Sequence, residues 1–171
     1  IRYQKSFLRV GFMSMDPNTG HVKAYVGGPD FTHFQYDMAS VGRRQIGSTV
    51  KPFLYTLAME EGFTPCDMFL NEQPTLITED GKPWSPRNSS KARVGEMVSL
   101  RWGLANSNNW ISARLMDKLS PSSLARLMHS FGIKNKIDEV ISLCLGPVEV
   151  SVEEMVTAYT AFSNKYVRVD P

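Results

Sequence analysis

Within this 171-residue chain, Ser48-x-x-Lys51-Pro52 has the most direct chemical reading. Pro52 lacks a backbone N–H and is tolerated in a helix only within about its first turn, so a helix begins near Ser48. Residues three apart share a helical face, which sets the Lys51 amine beside the Ser48 hydroxyl. The helix N-terminus favours negative charge developing near the serine oxygen. Serine is a weak nucleophile until an adjacent base takes its proton. Lysine serves as that base only when enclosure or neighbouring cations hold its pKa down. A nucleophile and base at these positions therefore require Lys51 to be enclosed and hydrogen-bonded. A lone Ser-x-x-Lys arises about once by chance in a chain of this length, with the serine an ordinary N-cap and the lysine solvated.

The elements that must hold this pair follow from the surrounding pattern. Ser6 to Met15 alternates as a strand with Leu8, Val10 and Phe12 on one side. Asp16-Pro17-Asn18-Thr19-Gly20 is a turn, and His21 to Val26 alternates again, giving an antiparallel hairpin that needs a larger sheet to be stable. Asp30 to Gly47 is an irregular stretch whose Phe31, Phe34 and Tyr36 read as a strap over the core. The helix from Ser48 buries Phe53, Leu54, Leu57 and Ala58 and stops at Gly62. Pro65, Pro74, Pro83 and Pro86 keep the next stretch loop-rich. Ser99 caps a short helix that runs into Ser107-Asn108-Asn109.

Three amphipathic helices follow. Ile111, Leu115 and Leu119 mark the first. Ser120-Pro121 opens the second, with Leu124, Leu127, Met128 and Phe131 as its buried stripe and Gly132 as its end. The Ser151 to Glu154 capping box opens the third, which buries Met155, Tyr159 and Phe162. The chain is organised as hairpin strands and loop over 1–47 and a mainly helical part over 48–171, within a single domain.

The composition is that of a globular chain with a real core, and a net charge of +2 with dispersed basic residues argues against a nucleic-acid partner. No run of about 18 apolar residues is present to cross a membrane. The chain opens on Ile1, as a piece of a longer protein would. His21, His33 and His129 have no metal-ligand spacing with each other or with the cysteines, so neither a metal nor another cofactor is expected. Cys66 and Cys144 read as unpaired, mostly buried thiols. Arg43, Arg44, Arg87 and Arg93 are left outside the candidate site, because exposed arginines are commonly solvated.

Ser48-x-x-Lys51 followed by Ser107-x-Asn109 resembles the first two signature motifs of penicillin-binding proteins and serine β-lactamases. The surrounding words resemble the transpeptidase domain of class A, bifunctional penicillin-binding proteins nearly end to end. They are Asp16-Pro17-x-Thr19-Gly20, Val26-Gly27-Gly28, Arg43-Arg44-Gln45, Gly47-Ser48-x-x-Lys51-Pro52-Phe53-x-Tyr55, Trp84-x-Pro86-x-Asn88 and Leu145-Gly146-x-x-Glu149-Val150. The resemblance implies an α+β fold (α/β in the broad sense) of the transpeptidase type, with N-terminal hairpin strands, a helical part and a sheet incomplete in this chain.

It further implies peptidoglycan stem peptides as substrates, β-lactam antibiotics as acylating analogues, and a membrane-anchored parent with a glycosyltransferase domain at the outer face of the cytoplasmic membrane. Ser48 would form the acyl-enzyme, Lys51 would be its base, Ser107 would relay a proton to the leaving amine, and Asn109 would bind the donor's amide and hold Lys51. On their own, Ser107 and Asn109 also fit the end of one helix and the cap of the next. The Trp84 to Asn88 word reads as a structural loop near the cleft.

No Lys-Thr-Gly or Lys-Ser-Gly occurs, so the family's third motif and the C-terminal part of the domain are missing, and these residues alone should not turn over substrate. Smaller departures are Ile46, where proline is common, and Tyr166, at a glycine-rich position. A D,D-carboxypeptidase or β-lactamase-type hydrolase, and a non-catalytic β-lactam- or peptidoglycan-binding module, are the alternative readings.

Overall fold

The computed structural model describes residues 6–171; the first five residues of the 1–47 stretch lie outside it. The described chain forms two compact units. One comprises the chain up to Arg44 with His129–Asn135 and Glu149–Pro171; the other comprises Gln45–Met128 and Lys136–Val148.

In the first unit, β1 (Phe12–Met15) pairs antiparallel with β2 (Val22–Val26) in the register Phe12↔Val26 and Met13↔Tyr25. Asp16 builds the connecting turn, its carboxylate accepting from the Asn18 N–H at 2.9 Å, and Gly20 supplies the positive φ of 77°. The strand is shorter than its alternation predicts. Met13 faces inward, whereas Leu8, Val10 and Phe12 are exposed. Gly11 is the physical reason for the break: a Cβ there would come 2.5 Å from the Met38 carbonyl oxygen, so the chain at Gly11 lies on the 38–39 backbone. Of the expected aromatic strap, Phe34 packs on Phe7 and under Arg9, while Phe31 and Tyr36 are exposed.

Helix α5 of the chain, Val152–Ser163, belongs to this unit and packs against β1. Its capping box forms as the sequence predicts, and Glu154 also accepts from Arg43 at 2.8 Å and from the Lys134 N–H at 3.2 Å. The buried face differs from the predicted one. Thr157, Ala158, Thr160 and Ala161 face the core, and Met155, Tyr159 and Phe162 are half-buried beside them. Small residues permit the close approach, and Phe162 packs on Phe131 and Tyr159 at ring distances of 5.2 and 5.3 Å.

The second unit is built on α1, Lys51–Glu60, which follows a 3-10 turn at Gly47–Val50. Phe53, Leu54, Leu57 and Ala58 are its buried stripe, and Gly62 ends it at a φ of 91°. Around it lie α2 (Leu100–Ala105), capped by Ser99, and α3 (Asn109–Lys118), with Ile111, Leu115 and Met116 in the core. The chain continues as α4, Pro121–Ser130, which buries Leu124 and Met128, and a 3-10 turn at Ile141–Leu145 packs on α3.

Short ribbons occupy the proline-rich stretch. Met68–Leu70 pairs with Met97–Ser99, and Leu76–Ile77 with Pro83–Trp84. Among the described residues every sheet has two strands, so the α+β sheet is incomplete. Both cysteines are free thiols; Cys144 is buried as expected, but Cys66 is exposed because it sits in the turn just after the solvent-facing end of α1. Among the described residues no helix is long and apolar enough to cross a membrane, and no cluster of metal-ligating side chains occurs.

Candidate active site

All four candidate residues lie in the second unit. Ser48 is exposed on the 3-10 turn, and its carbonyl oxygen accepts the Lys51 backbone N–H. Two contacts fix that turn from behind: Gly47 N–H donates to the Gly146 carbonyl at 3.0 Å and Ile46 N–H to the Val148 carbonyl at 3.1 Å. Gly146 takes φ 70° and ψ 49°, and a Cβ on it would collide with the Gly47 backbone. The Leu145-Gly146 word thus supports the turn that carries Ser48.

Lys51 is 1% exposed. Its ammonium group donates to the Ser107 carbonyl at 2.6 Å, to the Ser107 hydroxyl at 3.0 Å and to Asn109 Oδ1 at 2.8 Å, which uses all three of its donors. No carboxylate is among these partners. Neutral oxygens replace water only in part, so burial lowers the Lys51 pKa to about 8. Near neutrality the amine sits close to the point where it gives or takes a proton. Buried Cys144 has its pKa raised to about 12 by desolvation, which keeps the thiol neutral and leaves it no negative charge to offer Lys51.

Ser107 is exposed and adopts a φ of 50°, a left-handed conformation that costs a non-glycine residue about 1–2 kcal/mol. In this conformation both its carbonyl and its hydroxyl bond the lysine. Asn109 is held from the other side, its Nδ2 donating to the Arg87 carbonyl at 2.8 Å and its backbone N–H to Asn88 Oδ1 at 3.1 Å. Trp110 Nε1 donates to the Pro86 carbonyl at 3.0 Å. The Trp84 to Asn88 loop therefore clamps the start of α3 through its backbone and Asn88, and the Arg87 contact is made by its carbonyl.

The fold brings Lys51, Ser107 and Asn109 into direct contact. Among the described residues the Ser48 hydroxyl makes no hydrogen bond to that cluster; it stands one turn before Lys51 at the solvent face. Sequence reasoning passed over Asn108 and Asn71. Asn108 caps α3, accepting from the Trp110 and Ile111 N–H groups at 2.9 and 3.0 Å, and it donates to Asn71 at 2.8 Å. The signal for Asn108 was present, since asparagine before an apolar periodic run is a cap. Asn71 gave none, because its partners lie 21 to 37 positions away.

Residues 10–171 match the family model for the penicillin binding protein transpeptidase domain. Penicillin-binding protein 1A of Rickettsia conorii is 36% identical over 161 residues, covering 93% of this chain and 20% of that protein. Penicillin-binding protein 2D of Bacillus subtilis is 34% identical over 167 residues, covering 97% and 24%. Among solved structures, penicillin-binding protein 1A from Haemophilus influenzae superposes with a TM-score of 0.83 at 29% identity, over 90% of this chain and 23% of that one. The chain thus spans about a fifth to a quarter of the length of the curated relatives it matches. With its motifs carried on the matching fold, the chain belongs to the penicillin-binding protein transpeptidase domain family.

Proposed function

We propose that the protein carrying this chain is a D,D-transpeptidase that crosslinks peptidoglycan stem peptides through a Ser48 acyl-enzyme. The observation that supports this most is a lysine 1% exposed, bonded only to neutral oxygens and three residues after an exposed serine on a helix N-terminus. In its neutral form Lys51 keeps two N–H donors for Ser107 and Asn109 and gains one lone pair. That lone pair takes the Ser48 proton as Oγ bonds to the carbonyl carbon of the stem peptide's D-Ala-D-Ala amide.

The Ser48 N–H, at the positive end of α1, stabilises the oxyanion. Collapse breaks the C–N bond, and Ser107 passes a proton from Lys51 to the departing D-alanine amine. Asn109 has one amide hydrogen left beyond Arg87 and orients the donor's backbone. The acceptor amine of a neighbouring stem then attacks the ester carbonyl, Lys51 takes the proton that amine releases, and the same proton passes to the Ser48 oxygen as the C–O bond breaks. A β-lactam carbonyl enters the same sequence, but its amine stays tethered after ring opening and the acyl-enzyme persists.

Turnover belongs to the whole protein, because the family's Lys-Thr-Gly motif does not occur among these 171 residues. The substrate sets the place of work in the cell envelope, outside the cytoplasmic membrane. Incubating the intact protein with a labelled penicillin and mapping the adduct by mass spectrometry tests the proposal. A single stable adduct on Ser48, absent in Ser48→Ala, is expected; an unlabelled Ser48 refutes it.

A further inference from the structure

Asn71 and Asn108 form a buried amide pair beside the residues that bond Lys51. Asn71 is 0% exposed and Asn108 1%, values rare for asparagine unless its polar groups are fully bonded. Asn71 Nδ2 donates to the Ala92 and Arg93 carbonyls at 2.9 Å each, and its Oδ1 accepts from Asn108 Nδ2 at 2.8 Å. Its backbone is held as well, N–H to the Glu96 carbonyl at 2.9 Å and carbonyl to the Gly95 N–H at 3.1 Å. Asn108 uses its remaining side-chain oxygen for the two N–H groups of the α3 cap.

Alternate residues of one three-residue turn are thus anchored to different partners. Ser107 and Asn109 bond the Lys51 amine, and Asn108 bonds Asn71. Arg93, whose carbonyl receives Asn71, is itself held at a φ of 55°, so the anchor is a constrained loop and not a free surface segment. Arg87 and Asn88 hold the Asn109 end of the turn, and the Asn71 bond ties the side chain of its middle residue to a second segment.

We infer that Asn71 is a positioning residue for the acyl-transfer site, setting through Asn108 the place of Ser107 and Asn109 around Lys51. This rests on the function proposed above. Losing the Asn71–Asn108 bond frees the turn, opens its bonds to Lys51 and admits water to the amine. The lysine then returns toward its ordinary titration range, and the serine loses its base near neutrality.

The test uses the intact protein and the rate of Ser48 acylation by a penicillin from pH 6 to 10, with thermal stability measured alongside. Asn71→Leu removes the partner at similar volume. Asn108→Ser keeps a capping oxygen for α3 but cannot reach Asn71, so it serves even where Asn71→Leu does not fold. Each is expected to slow acylation at pH 7 about tenfold or more and to move the alkaline midpoint upward. The double variant should be no slower than about the worse single one, because both remove the same Asn71–Asn108 bond. Leu124→Ala, a core truncation away from the turn, should lower stability with the midpoint unchanged. A folded Asn108→Ser with the wild-type rate and midpoint, or with a loss that merely tracks stability as Leu124→Ala does, overturns the inference. A wild-type protein that takes no label on Ser48 overturns the functional proposal instead, and this inference with it.

Discussion

The backbone of Gly146 lies against that of Gly47, with the Gly47 N–H donating to the Gly146 carbonyl at 3.0 Å and no space for a side chain between them. Residues nearly a hundred positions apart thereby form one support for the serine turn. Gly146→Ala adds a Cβ at a positive φ and pushes Gly47 aside. Destabilisation of at least about 1–2 kcal/mol is expected, with acylation of Ser48 in the folded fraction slowed about tenfold. Calorimetry and penicillin labelling measure the two effects separately.

Lys51 leaves a signature in stability. Its pKa is about 8 in the fold and near 10.5 when unfolded, so the folded state releases its proton first. Between those values the unfolded chain binds more protons, and stability rises with pH. Below about 8 both states are protonated and the cost of burying the charge is fully present. Denaturant titrations of wild type and Lys51→Met should therefore diverge with a slope of at most about 1.4 kcal/mol per pH unit. The wild type gains between pH 8 and 10.5, and the variant lacks that gain.

Asn109→Asp exchanges a neutral acceptor for a carboxylate at 2.8 Å from the amine. An opposite charge at that distance favours the ammonium form and raises the Lys51 pKa. Acylation at pH 7 should fall by about tenfold to a hundredfold, with some loss of melting temperature because the carboxylate cannot donate to the Arg87 carbonyl. Its pH midpoint should move upward. A faster variant, or one with the midpoint unmoved, would count against a neutral lysine as the base.

Away from the site, Ser151 and Glu154 cap α5 reciprocally. Ser151→Ala should cost about 1 kcal/mol, read by thermal denaturation, and leave the pH profile of Ser48 acylation unchanged, since no Ser151 contact involves the lysine cluster.

Much of the scaffold was legible because it is written locally. Pro52 and Gly62 bracket α1, Ser99 and Ser151 cap helices, and the Phe53 to Ala58 stripe is buried as its spacing predicts. Parity was not. Alternation in the first strand could not tell whether Phe12 or Met13 faces inward, because the choice depends on where Gly11 meets the 38–39 backbone. The same holds for α5, where Ala158 and Ala161 take the core and the bulkier Tyr159 and Phe162 flank it.

In the site, Ser107 and Asn109 are named by the resemblance of their motif to the family's and not by spacing alone, and their bonds to Lys51 agree with the requirement that the lysine be enclosed. The left-handed turn at Ser107, the buried Asn71 and the clamp from Arg87 and Asn88 depend on contacts 21 to 56 positions away in sequence, which no local pattern records.

Acylation of Ser48 with neutral Lys51 as its base is read from the pH dependence of penicillin labelling on the intact protein. The predicted result is a rate that rises with pH through a midpoint near 8 and is lost in both Ser48→Ala and Lys51→Met. A rate that is flat from pH 6 to 10, or labelling that survives in Lys51→Met, would contradict it.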